Sequence, residues 1–311
     1  MTRVTVLLGG TSSEREVSLI SGEAIGKGLE ARGYEVQKLD PARFHGIQAL
    51  LSQIRELKTD VVFLGLHGGS GENGQLQAAL ELEGIPFTGS GAKACALAMD
   101  KYLSKLLARE EGIPTADYLL MREDLLNDYN DPADYQAVCG KLGLPLMVKP
   151  NDGGSSVGMT RVEQLSQLKP ALKLALSHSG SALLERFIPG RELTVTLLDG
   201  QALPLVEIRP YDGWYDYQNK YGEGRSEYLA PAPVEDALAQ LIQTYAERLW
   251  QVFGLRHYAR ADFRFNGEHA YFLELNTLPG MTPLSLTPKA AQAIGLEFPE
   301  LVDRIVRLAG R

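Results

Sequence analysis

A lysine at the end of an apolar run opens the segment with the most evident chemistry, Lys149-Pro150-Asn151-Asp152-Gly153-Gly154-Ser155-Ser156-Val157-Gly158. The ammonium supplies a point charge. The small residues let backbone N–H groups come close to phosphate oxygens. The segment is not a Walker P-loop, because G-x-x-x-x-G-K-[ST] is absent. Taken alone, it reads equally well as a flexible connection.

A second group is Arg260-Ala261-Asp262 followed by Glu274-Leu275-Asn276. Side chains alternate along a strand, so Arg260 and Asp262 share one face, and Glu274 and Asn276 share another. Phe263 and Phe265 point away from Asp262, and Leu273 and Leu275 away from Glu274. Carboxylate and amide oxygens are hard donors that suit Mg²⁺, which takes few protein ligands and fills its shell with phosphate and water. Asp262 can face Glu274 only if the connecting loop is odd in length or the pair carries a bulge. A two-residue Asn266-Gly267 turn would put them on opposite faces. The alternative is a hairpin with a solvated polar face. Beyond it, an amide at Gly280 beside Arg260 is suited to a developing oxyanion, although Pro279-Gly280 also reads as a plain turn.

The positioning elements begin with the run Val4 to Leu8, a buried parallel strand ending in Gly9-Gly10. Ser13 and Glu16 form a capping-box pattern ahead of a helix whose apolar face is Val17, Ile20, Ala24 and Ile25. A strand from Tyr34 to Leu39, a helix from Ile47 to Leu57 and a strand from Val61 to Leu64 complete a β-α-β-α-β order. That order implies a right-handed, doubly wound, Rossmann-like α/β domain over residues 1–95. Ligands sit at the carboxyl ends of parallel strands, which makes Glu14 and His67 site candidates. Glu14 could equally serve a helix N-terminus, and His67 could be a structural histidine.

Residues 96–180 read as a small α+β domain with one helix over Ala92 to Glu111. Residues 181–311 are strand-rich, with an antiparallel pair around Asp199-Gly200, a helix from Val234 to Phe253 and the hairpin at Asn266-Gly267. Between them, about 211–233 is polar, tyrosine-rich and aperiodic, the character of a lid.

The chain has 311 residues with a net charge of -8, which argues against nucleic acid or an anionic membrane as partner. Cys95 and Cys139 lie in no metal-type spacing and read as reduced thiols. The apolar start is too short for a signal peptide and no apolar run could span a membrane, so a cytoplasmic location is expected.

Taken together, the motifs resemble those of D-alanine–D-alanine ligases of the ATP-grasp superfamily, in register over essentially the whole chain. They are Gly9 to Ser18, Leu66-His67-Gly68 with Gly71-Glu72-Asn73-Gly74, Met99-Asp100-Lys101, the Lys149 loop, Tyr215-Asp216-Tyr217 with Lys220-Tyr221, Arg260-Ala261-Asp262, and Glu274 through Thr282 with Ser285-Leu286. The resemblance implies a two-domain ATP-grasp fold after the first domain. It implies ATP held by Lys101, Lys149, Lys220, Glu185 and Glu192, and two Mg²⁺ ions, with Mn²⁺ as substitute, on Asp262, Glu274 and Asn276. Glu14 would meet the ammonium of the first D-alanine, linked with Ser155 and Tyr221. Ser285 and Leu286 would take the second carboxylate, Arg260 and Gly280 the oxyanion, and His67 would line the substrate pocket. A homodimer is implied as well. The chain departs from the family's usual residues at Asp152-Gly153, Arg186 and Asn73.

Rival readings are an ATP-grasp ligase for another acid or amine, and a silent nucleotide-binding module. Glu14, Tyr221 and Ser285 argue against the first, and Asp262, Glu274 and Arg260 against the second. A nicotinamide dehydrogenase fits poorly, because the first strand ends without G-x-G-x-x-G.

Overall fold

The computed structural model describes residues 1–124, 132–154, 156–211 and 226–310. The first lobe is a parallel sheet of β1 (Arg3–Leu7), β2 (Glu35–Leu39) and β3 (Val61–Leu64) in the order β2-β1-β3. Around it lie α1 (Arg15–Ala31), α2 (Ile47–Glu56), α3 (Gly69–Glu72) and α4 (Gln75–Leu82). The chain reverses direction across the sheet between β1 and β3, which leaves a crevice at their carboxyl ends.

The capping box expected at Ser13 does not form. The helix starts at Arg15 with Glu14 at its N-cap, while the Ser12 hydroxyl donates to the His67 carbonyl at 2.6 Å. The buried face also differs from the expected one. Ser18, Ser21, Gly22, Ile25 and Leu29 face the sheet, and Ile20 is 61% exposed. The helix lies so near β1 that a Cβ on Gly22 would stand 2.3 Å from that of Leu8. Close approach, not hydrophobicity, selects the small residues on this face.

The expected helix over Ala92 to Glu111 is two helices, α5 (Ala92–Met99) and α6 (Lys101–Glu110). Asp100 separates them and caps the second, its carboxylate accepting from the Leu103 N–H at 2.9 Å. The second lobe is an antiparallel sheet of β4 (Tyr118–Arg122), β5 (Leu146–Pro150), β6 (Thr160–Val162) and β7 (Ser181–Arg186), ordered β4-β7-β5-β6. Helices α7 (Pro132–Leu142) and α8 (Leu168–Leu176) accompany it. β7 bonds to both β4 and β5, so Ser181–Arg186 is part of this sheet.

The third lobe is built on β8 (Arg191–Leu198), β9 (Gln201–Ala202), β10 (Val206–Pro210), β11 (Ser226–Leu229), β12 (Tyr258–Phe265) and β13 (Ala270–Asn276). They run β11-β10-β8-β12-β13, with β9 paired to β8 and α9 (Asp236–Phe253) packed behind. Of the stretch about 211–233 expected to be a lid, Ser226–Leu229 is an edge strand paired with β10, and 212–225 lies outside the described residues. The last helices, α10 (Leu286–Gln292) and α11 (Phe298–Ala309), return to the first lobe, where Leu301, Val302 and Ile305 join the core of β1 and β3. Each such buried side chain contributes about 1.5–3 kcal/mol by leaving water. No helix among the described residues is long and apolar enough to cross a membrane.

Candidate active site

The hairpin settles the orientation of the two carboxylates. Phe265 pairs with Ala270 and Phe263 with Phe272, but Asp262 pairs with Glu274 and Arg260 with Asn276. The first two pairs sum to 535 and the last two to 536, so the register slips by one residue and Leu273 is the extra one. The slip turns Glu274 toward Asp262. It also brings Leu273 into the cleft, against the expectation that it points away, while Leu275 is buried as expected.

Asp262 is almost fully enclosed, with donors on both oxygens. Thr194 on β8 donates to Oδ1 at 2.6 Å, Arg260 donates to both oxygens at 2.9 Å, and the Asn276 amide donates to Oδ2 at 3.0 Å. Because Asn276 donates through nitrogen, its Oδ1 remains an oxygen donor. Lys101 Nζ lies 3.5 Å from Glu274. Among the described residues, no three His, Cys, Asp or Glu side chains converge on one point. Asp262, Glu274 and Asn276 make a partial oxygen shell, which fits a hard divalent cation completed by phosphate and water.

Lys149 lies at the end of β5, across the cleft. A cavity of about 80 Å³ between the second and third lobes is lined by Lys149, Glu185, Glu192, Asp262, Leu273 and Glu274, among others. Met147, Met159, Phe187 and Ile188 supply apolar walls. A smaller neighbouring cavity brings in Lys101, Gly153 and Gly154, again with Lys149 and Glu274. Glu192 is ion-paired with Arg264 at 2.8 Å. Glu185 is ion-paired with Lys149 and, at 2.5 Å, with Lys105.

The break at Asp100 positions Lys101. Its backbone N–H donates to the Asn151 carbonyl at 3.1 Å, and its ammonium donates to the Gly153 carbonyl. The Asn151 side chain accepts from the Tyr102 N–H at 2.9 Å. The glycine-rich loop is thus latched to the start of α6. Ser155, Lys220 and Tyr221 lie outside the described residues.

Glu14 is buried where the first lobe meets this loop. A Cβ on Gly68 would stand 2.5 Å from its Oε2, and one on Gly154 2.9 Å from the same atom. The carboxylate fits between two residues that have no side chain. His67 has both ring nitrogens engaged within the protein, by Ser21 Oγ at 2.9 Å and the Leu278 carbonyl at 3.0 Å. A carbonyl only accepts, so Nδ1 carries the proton; burial lowers the pKa and favours the neutral ring. His67 therefore braces the site, the structural role weighed for it beside substrate binding.

Glu72, quoted in a motif but given no role from sequence, completes that brace. Its carboxylate accepts from the Gly68 N–H at 2.9 Å and the Leu278 N–H at 3.2 Å. Burial, then the charge of Glu14, pushes its carboxyl up to about 7. The Leu278 peptide is thereby held at both its N–H and its C=O by the first lobe. Two residues on, Gly280 faces Ser285, whose Oγ would lie 3.1 Å from an added Cβ. Ser285 is the N-cap of α10 and accepts from the Thr282 N–H at 3.0 Å, while Leu286 is buried behind it. Sequence reasoning also missed Lys105 and Thr194. The alternation Glu192-Thr194-Thr196 in an otherwise apolar strand was a usable signal for the latter.

Two antiparallel lobes closing on lysines and paired carboxylates, behind a doubly wound first lobe, define the ATP-grasp class of ligases. The family model described as D-ala D-ala ligase C-terminus matches residues 107–307, and the one described as D-ala D-ala ligase N-terminus matches 38–90. A D-alanine–D-alanine ligase from Syntrophotalea carbinolica is 43% identical over 305 residues, 98% of this chain and 95% of that protein. One from Actinobacillus pleuropneumoniae serotype 5b is 41% identical over 308 residues, 99% and 98% of the two chains. The crystal structure of the Bacillus anthracis D-alanine–D-alanine ligase complexed with ATP matches with a TM-score of 0.85 at 30% identity, covering 99% of this chain and 97% of that one. The chain belongs to the D-alanine–D-alanine ligase family.

Proposed function

We propose that this cleft joins two D-alanine molecules into D-alanyl-D-alanine with ATP, releasing ADP and phosphate, and so supplies a peptidoglycan precursor in the cytoplasm. The observation that carries the reading is the convergence of Lys149, Asp262 and Glu274 on one cavity, with Glu14 seated against Gly154 of the adjoining loop.

In this reading, Lys101, Lys149 and Lys220 hold the phosphates, and Glu185 and Glu192 face the adenine and ribose. Asp262, Glu274 and Asn276 hold Mg²⁺, for which Mn²⁺ can substitute. The bound cation supplies charge neutralisation to the triphosphate. Glu14, with Ser155 and Tyr221, orients the ammonium of the first D-alanine so that its carboxylate oxygen attacks the γ-phosphorus. The β–γ bridging bond breaks, ADP departs and an acylphosphate remains. The amine of the second D-alanine, oriented through its carboxylate by Ser285 and Leu286, attacks that carbonyl. Arg260 and the Gly280 amide stabilise the oxyanion, and phosphate leaves. The stretch about 211–233 is assigned the exclusion of water from the acylphosphate. His67 and Glu72 act by holding the Leu278 turn. The working form is a homodimer.

Phosphate release from ATP, measured with D-alanine, with L-alanine and with D-alanine plus D-lactate, tests this. Release requiring D-alanine, with dipeptide as product, is expected. Release with L-alanine alone would overturn the substrate assignment.

A further inference from the structure

Lys105 touches neither cavity and is completely enclosed, one helical turn after Lys101 on α6. Its ammonium lies 2.5 Å from Glu185, 3.2 Å from the Phe272 carbonyl and 5.9 Å from the centre of the Phe272 ring. Glu185 is buried too, and its other oxygen is paired with Lys149. Lys149 lines both cavities, so it faces two ways: toward Glu185 and toward the glycine-rich loop.

This arrangement carries a conflict. To meet a triphosphate, Lys149 must come away from Glu185. A buried carboxylate that loses its partner costs several kcal/mol, so Glu185 resists giving Lys149 up. A second buried cation removes the conflict, because Glu185 keeps a partner whichever way Lys149 turns. We infer that Lys105 is a positioning residue for nucleotide binding: it keeps Glu185 paired beneath the cleft and so frees Lys149 for the phosphates. The inference rests on the reading that the cleft takes ATP. Burial opposes ionisation of Glu185, yet the two lysines hold its carboxyl below the usual range. Burial pulls the Lys105 ammonium down to about 8, with Lys149 contributing and Glu185 opposing.

The test is a double-mutant cycle read as ATP affinity. Folded wild type, Lys105→Met, Glu185→Gln and the double variant are titrated with MgATP by calorimetry, without D-alanine. With Lys105 gone, Glu185 retains Lys149, so Lys105→Met is expected to weaken binding about tenfold or more. In the Glu185→Gln background no carboxylate competes for Lys149, and the same change should alter affinity by no more than about threefold. Equal losses in both backgrounds, or no loss from Lys105→Met, would overturn the inference, because packing alone costs the same with or without the charge. If Lys105→Met does not fold, Lys105→Gln takes its place in both backgrounds, and the same outcomes uphold or overturn the inference. Failure of the ATP reading itself has another signature: wild-type protein that binds no MgATP.

Discussion

The two ends of the cleft are held by different physics. At the end proposed for the nucleotide, charges on strands and on α6 are paired with one another: Lys105 and Lys149 on Glu185, Arg260 with Thr194 and Asn276 on Asp262, and Arg264 on Glu192. At the end proposed for the amino acids, loops from different lobes meet. Glu14 fits between Gly68 and Gly154, and the Leu278 peptide is gripped by His67 and Glu72. Strand register fixes where a side chain points, so an ion pair can hold a charge in place. Loops lack that guide, and steric fit and main-chain hydrogen bonds do the placing. The nucleotide end should therefore be sensitive to charge removed, and the amino-acid end to volume added.

The largest effect is expected from Glu274→Gln, which removes a cleft charge without changing shape. Phosphate release should fall on the order of 10³-fold, as expected for losing several kcal/mol of cation-held charge stabilisation, while the melting temperature stays close to wild type. Undiminished turnover would remove Glu274 from the chemistry. Next comes Gly154→Ala. Gly154 is not in the left-handed region, so the added methyl brings no backbone strain, only a contact 2.9 Å from Glu14. Overpacking costs about 1–3 kcal/mol, so the KM for D-alanine should rise about tenfold or more while ATP affinity holds. A rise in the ATP Kd instead would show that the two ends are not separable.

A smaller effect concerns pH. The Glu72 carboxyl, raised to about 7 in the fold from an ordinary 4.5, is more easily protonated folded than unfolded. Its contribution to stability is therefore complete below about 4.5 and is lost as pH rises through 7. Melting curves from pH 4 to 8 should show wild type losing a few degrees more than Glu72→Gln over that window. Parallel curves would mean that Glu72 titrates normally and that the brace on Leu278 carries no such penalty.

Much of this division was legible in the sequence, for a definite reason. Apolar runs closed by glycine or proline announce strand ends, so Lys149, Glu14 and His67 could be placed there before any coordinates. Asn266-Gly267 announced the hairpin, and parity showed what Asp262 facing Glu274 would require. What parity could not supply was the position of the bulge, because Leu273 is as apolar as its neighbours and nothing local marks it as the extra residue. The capping box failed at Ser13 because Ser12 is drawn to the His67 carbonyl on another loop. Lys105 and Glu72 stayed hidden for the same cause. Each owes its role to a partner far away in sequence, Glu185 in one case and Leu278 in the other. Local pattern carries direction and burial, but not who stands opposite.

The smallest predicted effect draws the line between the two ends most finely. Arg186 stands at the end of the cleft proposed for the nucleotide, and it pairs with Asp117 at 3.0 Å. Unlike Lys105 and Glu185, both partners are open to water, with side chains 51% and 58% exposed. An exposed pair is worth about 0–1 kcal/mol, because solvent screens it and two long side chains must be ordered. Arg186→Lys keeps the charge and loses the Nε–H donated to the Leu142 carbonyl at 3.2 Å. The KM for ATP should therefore change by no more than about threefold, with the melting temperature nearly unmoved. A change of about tenfold would mean that the guanidinium itself grips the nucleotide, and that charge matters at this end of the cleft whether or not it is enclosed.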